Sequence, residues 1–165
     1  MNHEPLQFED LVRRELIIAD AEFDDRDEAL ISMASILVEQ GFCEPPFVPA
    51  IVERERYHPS ALPMAGHKIA IPHTDATHVI RSALLFARLK KPVEFSCMGD
   101  PETKLQVSMI SMFALRETRA IGDLLATLIA VYRNDAVLDA IYTARDQSTI
   151  YQLLSHYVTD TRTSA

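Results

Sequence analysis

A short apolar run that ends in proline and then histidine is the feature that most constrains this chain. Residues 69–71 read Ile-Ala-Ile, with a β-branched residue at each end, which is typical of a short strand entering the core. Pro72 has no backbone N–H and a fixed φ, so the strand must end there or lie at a sheet edge. His73 is therefore predicted at a strand end on a stiff backbone, which suits a residue that must meet a partner in one geometry.

Length and charge predict one acidic globular domain. The chain has 165 residues, enough for a sizeable core, and 48% of them are hydrophobic. The formal net charge is −8, with acidic residues clustered between residues 22 and 28. Nucleic acid binding needs a basic surface, so this balance argues against nucleic acid as a partner. Cys43 and Cys97 form no Cys-x-x-Cys motif, and we expect buried free thiols, without a disulfide framework or a cysteine-rich metal site.

We expect neither a targeting segment nor a membrane span. Residues 1–5 lack the basic region and the apolar stretch of a signal peptide, and residues 1–10 are predicted to form a loose arm. No apolar run approaches the roughly 20 residues that a membrane-spanning helix needs. The sequence therefore predicts a cytoplasmic protein.

Two helices are predicted before the proline-histidine run. After a first strand at residues 16–18, Asp24-Asp25 offers an N-cap for a helix of regular apolar spacing that Gly41 closes. Pro45-Pro46 can begin a second helix, which must end near His58 because Pro59 disfavours helical backbone before it. Residues 59–66 are then predicted to be a loop.

Strands are predicted to dominate the stretch after His73. Residues 82–89 are apolar on both faces and favour a buried strand, although periodicity alone also allows a helix. Residues 92–95 are predicted to be a separate short strand, and residues 99–101 a turn. The continuous apolar run at residues 105–114 predicts another buried strand.

The last third of the chain is predicted to be helical. Residues 116–120 are polar and predict a loop, followed by an amphipathic helix over residues 121–132. Asn134 and Asp146 can each cap a further helix, and residues 159–165 are expected to fray. With no internal repeat or linker, the predicted class is α/β (α+β): a small mixed β-sheet flanked by helices.

A lone histidine in this position is suited to phosphoryl transfer. A neutral imidazole is nucleophilic near pH 7, and it can take a phosphoryl group and release it again. Such transfer needs positioning and charge neutralisation more than acid–base chemistry. The sequence has no Walker-type loop and no dinucleotide fingerprint, which argues against direct use of ATP or NAD, and we expect no cofactor.

The run Gly66-x-x-Ile69-Ala70-Ile71-Pro72-His73 resembles the phosphorylation-site signature of a known family. That family is the fructose/mannitol class of enzyme IIA domains of the bacterial phosphoenolpyruvate-dependent sugar phosphotransferase system. The agreement extends in order over residues 15–157, from the acidic helix cap to Ile150-Tyr151-x-Leu153-Leu154. It implies a single domain of the mannitol/fructose IIA type over residues 5–158, acting as a phosphotransferase component.

The resemblance also implies roles for two residues. His73 matches the phospho-acceptor, with Nε2 as the expected site of the phosphoryl group. Arg54 matches the arginine that binds the phosphoryl oxygens, and Arg56 is the alternative if the alignment slips. Without the resemblance, Arg54 could equally be an exposed charge paired with Glu53 or Glu55.

Partners also follow from the resemblance. His73 would take phosphate from the phosphocarrier protein HPr and pass it to a cysteine of a cognate IIB component. The membrane IIC component, which takes up a sugar or sugar alcohol, would be met only indirectly. An exposed apolar surface should surround His73 for these encounters, with Pro63, Met64 and Ala65 as its candidates.

The sequence departs from the family pattern at two places. Many members carry a second histidine before the late helix, but here that place falls near Ile121, and no histidine lies between His78 and His156. Arg116, Arg119 and Thr74 are hypothetical substitutes. Thr74 also stands where the family usually has glycine. Together with the longer loop at residues 59–66, these departures resemble the galactitol-type branch.

Two alternatives remain open at this point. One is a regulatory protein of the same fold that signals through its phosphorylation state. The other is a metal-dependent hydrolase built from His58, His67, His73 and His78. Their spacings of nine, six and five residues do not place pairs on one helix face, as zinc motifs often require. We expect His58, His67 and His78 to be solvated loop residues, with His67 near the site.

Overall fold

A mixed β-sheet with helices on both faces accounts for the described residues. The computed structural model describes residues 11–116 and 118–163, of which residues 118–121 and 162–163 are described by their backbone alone. The strands are β1 (Val12–Ala21), β2 (Ile69–Ala70), β3 (Ala83–Cys97) and β4 (Asp100–Ala114). The α-helices are α1 (Arg26–Glu39), α2 (Phe47–Tyr57), α3 (Thr118–Tyr132), α4 (Asp135–Thr143) and α5 (Gln147–Thr163), and a 3₁₀ turn spans Ala76–His78. The predicted class and the single domain are confirmed.

The sheet order places the proline-histidine segment at an edge. The strands lie in the order β1-β3-β4-β2, with β3 and β4 antiparallel and each outer strand parallel to its neighbour. In β2, Ile69 is opposite Met109 and Ala70 is opposite Ile110. β2 ends two residues before Pro72 and is an outer strand of the described sheet, as the missing N–H of proline requires.

Alternation along the central strands builds a core on each face of the sheet. On one face, Leu85 and Ala87 of β3 pack in a cluster with the buried sides of α1 and α2. On the other face, Leu84 and Phe86 pack in a cluster with apolar residues of α3, α4 and α5. Both faces of the hairpin strands are therefore buried, which explains why they read as near-continuous apolar runs.

The predicted helix boundaries are confirmed where a cap residue marks them. Oδ1 of Asp25 accepts a hydrogen bond from the amide of Glu28 at 2.8 Å, and α1 ends just before Gly41, whose φ of 82° needs glycine. α2 begins after Pro46 and ends at Tyr57. Asn134 caps α4, and Asp146 binds the amide of Thr149 at the start of α5.

The prediction of two separate strands at residues 82–89 and 92–95 is wrong, because they form one continuous strand, β3. Pro92 lies within it, at an irregularity between the pairs of Arg88 and Val93 with β4. A bulge of this kind tolerates proline, because the ladder hydrogen bond is already interrupted there.

The turn predicted at residues 99–101 is shifted by one residue. Cys97 is opposite Asp100, so the hairpin loop is Met98-Gly99, and Gly99 has a φ of 79°. Asp100 and Pro101 belong to β4, where a proline is tolerated near the strand start.

The polar loop predicted over residues 116–120 and the frayed end predicted over residues 159–165 are also wrong in part. α3 begins at Thr118, and α5 continues to Thr163. Polar residues are acceptable in the first turn of a helix because its N–H groups need no intrahelical partner. Apolar residues of both helices pack in the cluster on one face of the sheet, and packing of this kind stabilises a helix more than local propensity does. The predicted arm at residues 1–10, residue 117 and residues 164–165 lie outside the described residues.

In the described part of the chain, no helix is long and apolar enough to cross a bilayer.

Candidate functional site

His73 lies just beyond β2, beside the end of the central strand β4. It forms an isolated parallel bridge with Phe113, whose amide donates to the carbonyl oxygen of Pro72 at 3.0 Å. Pro72 is buried and His73 is half-buried. The backbone that carries the imidazole is therefore hydrogen-bonded to the central strand β4, as the sequence predicts for a residue at a strand end.

One hydrogen bond sets the orientation and the tautomer of the imidazole. Nδ1 of His73 lies 2.8 Å from the carbonyl oxygen of Ile71. A carbonyl oxygen can only accept a hydrogen bond, so Nδ1 carries the proton in this arrangement and Nε2 keeps its lone pair. The geometry thus presents Nε2 as the nucleophilic nitrogen, without any need for a separate general base.

The carbonyl that holds the imidazole is itself held by a buried hydrogen-bond chain. The amide of Ile71 donates to the carbonyl oxygen of Ser60 at 3.1 Å. The amide and the hydroxyl of Ser60 both donate to Oε1 of Glu55, at 2.9 and 3.1 Å. Glu55 is 2% exposed, and burial raises the pKa of its carboxyl to about 7, against the opposing effect of the Ser60 hydrogen bonds.

A surface cavity, here called the histidine cavity, lies beside His73. Three segments meet there: the end of α2, the His73 segment and the β3–β4 turn. The lining residues are Tyr57, His58, Pro59, His73, Met98, Gly99 and Pro101. The turn is brought to this place by Ala61, which bridges both Ala70 and Cys97.

A second cavity, here called the arginine cavity, shares Tyr57 and His58 with the first. It is lined by Ala50, Glu53, Arg54, Tyr57 and His58 of α2 and its end, and by Thr74 and Asp75. The helix residues recur at spacings of three and four, so they occupy one face of α2. The structure thus brings Arg54 next to the segment that follows His73, across a surface common to both cavities.

Arg54 and Arg56, the two candidate phosphoryl-binding arginines, have different surroundings. Arg56 forms an ion pair with Asp27 of α1 at 3.1 Å. Arg54 is exposed, and its guanidinium has no hydrogen-bond or ion-pair partner among the residues that the structure describes. The pairing of Arg54 with Glu53 or Glu55 is not seen in that part of the chain.

Asp75 is a fixed negative charge in the arginine cavity. Its side chain accepts a hydrogen bond from the amide of Thr77 at 2.9 Å and caps the 3₁₀ turn. Hydrogen bonds from Thr77, with smaller contributions from His78 and Arg54, hold the pKa of this carboxyl below its usual range. Arg54 is therefore already attracted to the carboxylate of Asp75. An incoming anion would have to compete with this carboxylate for the guanidinium, or bind beside it.

The hypothetical substitutes for a second histidine are placed differently from one another. Thr74 is half-buried and lines the arginine cavity. Arg116 donates from its guanidinium to the carbonyl oxygen of Ile80 at 3.0 Å and lines neither cavity. The side chain of Arg119 lies outside the described residues.

The other predicted loop histidines have partners elsewhere. His67 stacks on Tyr142 of α4 with ring centroids 3.9 Å apart, and its Nε2 lies 3.5 Å from Asp139. His78 lies 3.8 Å from Glu44. Both are half-buried, so the expectation of solvated residues holds only for His58, which is exposed, and His67 lines neither cavity. Within residues 11–116 and 118–163, no group of three or more histidine, cysteine, aspartate or glutamate side chains could hold a metal ion.

The sequence-based reading missed four residues of this site. Glu55 supports the loop that holds the imidazole, and Tyr57, His58 and Met98 line the histidine cavity. A sequence signal existed for two of them, because Arg54, Tyr57 and His58 are spaced three and four residues apart on a predicted helix. Pro63 and Ala65 are exposed and Met64 is half-buried, but none of the three lines either cavity.

Comparison with known proteins gives a consistent picture. Residues 10–157 match the family model described as "Phosphoenolpyruvate-dependent sugar phosphotransferase system, EIIA 2". The chain is 24% identical over 138 residues to the galactitol-specific EIIA component of Escherichia coli K12, which covers 84% of this chain and 91% of that protein. It is 27% identical over 150 residues to a nitrogen regulatory protein of Bradyrhizobium diazoefficiens, with 88% and 93% covered.

The fold also matches a solved complex. A structure of enzyme IIA for mannitol bound to phosphorylated enzyme IIB from Escherichia coli aligns with a TM-score of 0.73. The sequences are 20% identical, and the alignment covers 88% of this chain and 97% of that one. At this identity the likeness concerns the fold.

Proposed function

The chain belongs to the EIIA 2 family of the phosphoenolpyruvate-dependent sugar phosphotransferase system, and we propose that it is a phosphocarrier acting through Nε2 of His73. The observation that carries this proposal is the 2.8 Å hydrogen bond from Nδ1 to the carbonyl oxygen of Ile71, which leaves a lone pair on Nε2. The half-buried ring is reached from the histidine cavity, which a partner protein could cover.

Each transfer moves the phosphoryl group between two nucleophiles. In the first step, Nε2 of His73 forms a bond to the phosphorus of phospho-HPr, while the bond from phosphorus to the donor nitrogen breaks and its electron pair returns to that nitrogen. In the second step, the thiolate of a IIB cysteine forms a sulfur–phosphorus bond, and the electron pair of the broken bond returns to Nε2. The proton stays on Nδ1, which donates it in a hydrogen bond to the carbonyl oxygen of Ile71 throughout, so no proton transfer at His73 is needed.

Arg54 is proposed to bind the phosphoryl oxygens. Its guanidinium lies in the arginine cavity, which adjoins the histidine cavity through Tyr57 and His58, and no described residue forms an ion pair with it. Arg56 is committed to Asp27, which favours Arg54 for this role. A planar guanidinium can bind two phosphoryl oxygens at once, so it suits an anion that changes hands.

For a transport role, the relatives of this chain indicate a substrate class and a set of partners. Likeness to the galactitol-specific EIIA component favours uptake of a sugar alcohol such as galactitol. The aligned mannitol complex supports a IIB component as the acceptor, with HPr as the donor and IIC met only through IIB. The chain would act in the cytoplasm, where these carriers exchange phosphate.

A regulatory role is a second candidate. The similarity of 27% over 150 residues to a nitrogen regulatory protein favours it, since the same phosphohistidine chemistry could report a metabolic state. A carrier would pass the phosphoryl group to a IIB component. A regulator would instead bind its target protein in a way that depends on whether His73 is phosphorylated.

The first test is phosphorylation by the upstream components. Wild-type protein, His73→Ala and His156→Gln are incubated with phosphoenolpyruvate, enzyme I and HPr and analysed by intact mass spectrometry at neutral pH. We expect one phosphoryl group on the wild type and on His156→Gln, and none on His73→Ala. Absence of phosphate on the wild type, or its presence on His73→Ala, would contradict the proposal. Passage of the phosphate to a cognate IIB then separates the carrier from the regulator.

A further inference from the structure

His58 is the second histidine that the structure places beside His73. It follows the last residue of α2 and lines both the histidine cavity and the arginine cavity. His67, His78 and His156 each contact another aromatic ring or a carboxylate. Among the residues that the structure describes, the ring of His58 has no such partner, and it is exposed to whatever enters the cavities.

The backbone fixes where the His58 ring can reach. Its amide donates to the carbonyl oxygen of Arg54 at 2.7 Å, so the last turn of α2 remains closed at this residue. Pro59, which follows, is buried and limits how far the chain can move at this point. Arg54 and His58 are four residues apart, so their side chains leave the same face of the helix.

A phosphoryl group on His73 would enter a region that already carries negative charge. The titratable or charged groups that face His58 come from α2 and from the His73 segment, while the β3–β4 turn contributes only uncharged residues. These groups are Glu53, Arg54, Tyr57, His73 and Asp75. The C-terminal end of α2 adds the negative end of a helix dipole.

One arginine does not balance this charge. Glu53 and Asp75 are both carboxylates, and Arg54 already interacts electrostatically with Asp75. A phosphoryl group would add between one and two negative charges near the end of α2. A second cationic donor at the helix C-terminus would stabilise the added charge, and His58 occupies that place.

We propose that His58, in its imidazolium form, is a second phosphoryl-binding residue that contacts the oxygens of the group carried by Nε2 of His73. The inference rests on the proposed function and names a residue that would take the place of the histidine missing near Ile121. Arg54 and His58 would bind the group from one helix face, with one residue on each side of Tyr57.

The test compares a neutral and a permanently charged replacement. His58→Gln keeps a hydrogen-bond donor but no charge, and His58→Arg keeps a charge at every accessible pH. His156→Gln in α5 is the matched control. Single-turnover transfer from phospho-HPr is measured at pH 6 and pH 8, and each rate is divided by the wild-type rate at the same pH, which cancels titration of the donor.

The proposal predicts a loss that depends on pH and on charge. Because imidazole side chains gain a proton as the pH falls between 8 and 5, His58→Gln should lose about tenfold in rate at pH 6 and much less at pH 8. His58→Arg should retain most of the wild-type rate at both values, and His156→Gln should match the wild type. The thermal unfolding midpoint of each variant shows whether it is folded.

Several results would overturn the proposal. It fails if folded His58→Gln transfers like the wild type at both pH values, or if it loses the same factor at both and His58→Arg does not restore the rate. A wild type that takes no phosphate on His73 would overturn the proposed function itself, and this inference with it. A wild type that is phosphorylated normally while His58→Gln is unaffected would overturn only the role of His58.

Discussion

Oε1 of Glu55 accepts two hydrogen bonds from Ser60, one from the amide at 2.9 Å and one from the hydroxyl at 3.1 Å. The carbonyl of Ser60 then accepts from Ile71, and the carbonyl of Ile71 holds Nδ1 of His73. A buried carboxyl thus connects α2 to the imidazole through three hydrogen-bonded steps. This relationship gives Glu55 a role in both stability and site geometry.

The buried carboxyl predicts that stability falls as the pH rises through the acidic range. Burial raises the pKa of Glu55 from 4.5 to about 7 in the folded protein, so between these values the folded state binds the proton more tightly. The stabilisation is complete below pH 4.5 and is lost as the pH rises through about 7. At 1.36 kcal/mol per pKa unit, the loss from this group is about 3 kcal/mol.

Glu55→Gln isolates this contribution, because the amide oxygen can still accept from Ser60. Urea unfolding at pH 5 and pH 7.5 should show the wild type losing more free energy of unfolding than the variant over this interval. Equal pH dependence in the two proteins would show that Glu55 does not titrate between these values.

Of the two arginines near the end of α2, only Arg54 is expected to contribute to phosphoryl transfer. Arg54→Gln removes the guanidinium from the arginine cavity and should lower the rate of transfer from phospho-HPr by about tenfold or more. Arg56→Gln removes only an exposed ion pair with Asp27, so its transfer rate should equal that of the wild type. Quenched single-turnover assays of both variants check this, and a larger effect at Arg56 would reverse the assignment.

Arg88 predicts a large loss of stability away from the site. It is 8% exposed, and its guanidinium donates to the carbonyl oxygen of Ala19 in β1 and to those of Ile141, Tyr142 and Ala144 at the end of α4. Arg88→Met leaves these acceptors without their donor and should reduce the free energy of unfolding by about 3 kcal/mol.

The exposed Arg133 provides the control for this prediction. Arg133→Met should change the free energy of unfolding by less than about 0.5 kcal/mol, as is usual for surface substitutions. If urea unfolding shows similarly small changes in the free energy of unfolding for both variants, the hydrogen bonds of Arg88 contribute little to the contact between β1 and α4.

Local signals were sufficient to predict the part of the site that carries His73. Pro72 and the Ile-Ala-Ile run indicate the edge strand, and Asp25, Gly41, Asn134 and Asp146 mark helix ends, because each of these effects acts within a few residues. The resemblance carried by the same run predicted the family that the comparisons show.

Long-range contacts explain what the sequence did not reveal. Glu55 looks like an ordinary charge on a helix, and only the packing of Ser60 against α2 buries it. Met98 reaches the histidine cavity because Ala61 bridges both β2 and the end of β3, which no local pattern encodes. The prediction of separate strands at residues 82–89 and 92–95 was wrong for a similar reason, since pairing with β4 continues on both sides of the bulge.

Identifying the phosphorylated nitrogen of His73 tests the phosphocarrier proposal most directly. Protein with ¹⁵N-labelled histidine is phosphorylated through HPr, and the ring of His73 is examined by ¹⁵N and ³¹P NMR, with His73→Ala used to assign its signals. The phosphocarrier proposal predicts phosphorus coupled to Nε2, with Nδ1 still protonated and hydrogen-bonded to the Ile71 carbonyl oxygen. Phosphorus on Nδ1 of His73, or on another histidine, would contradict it.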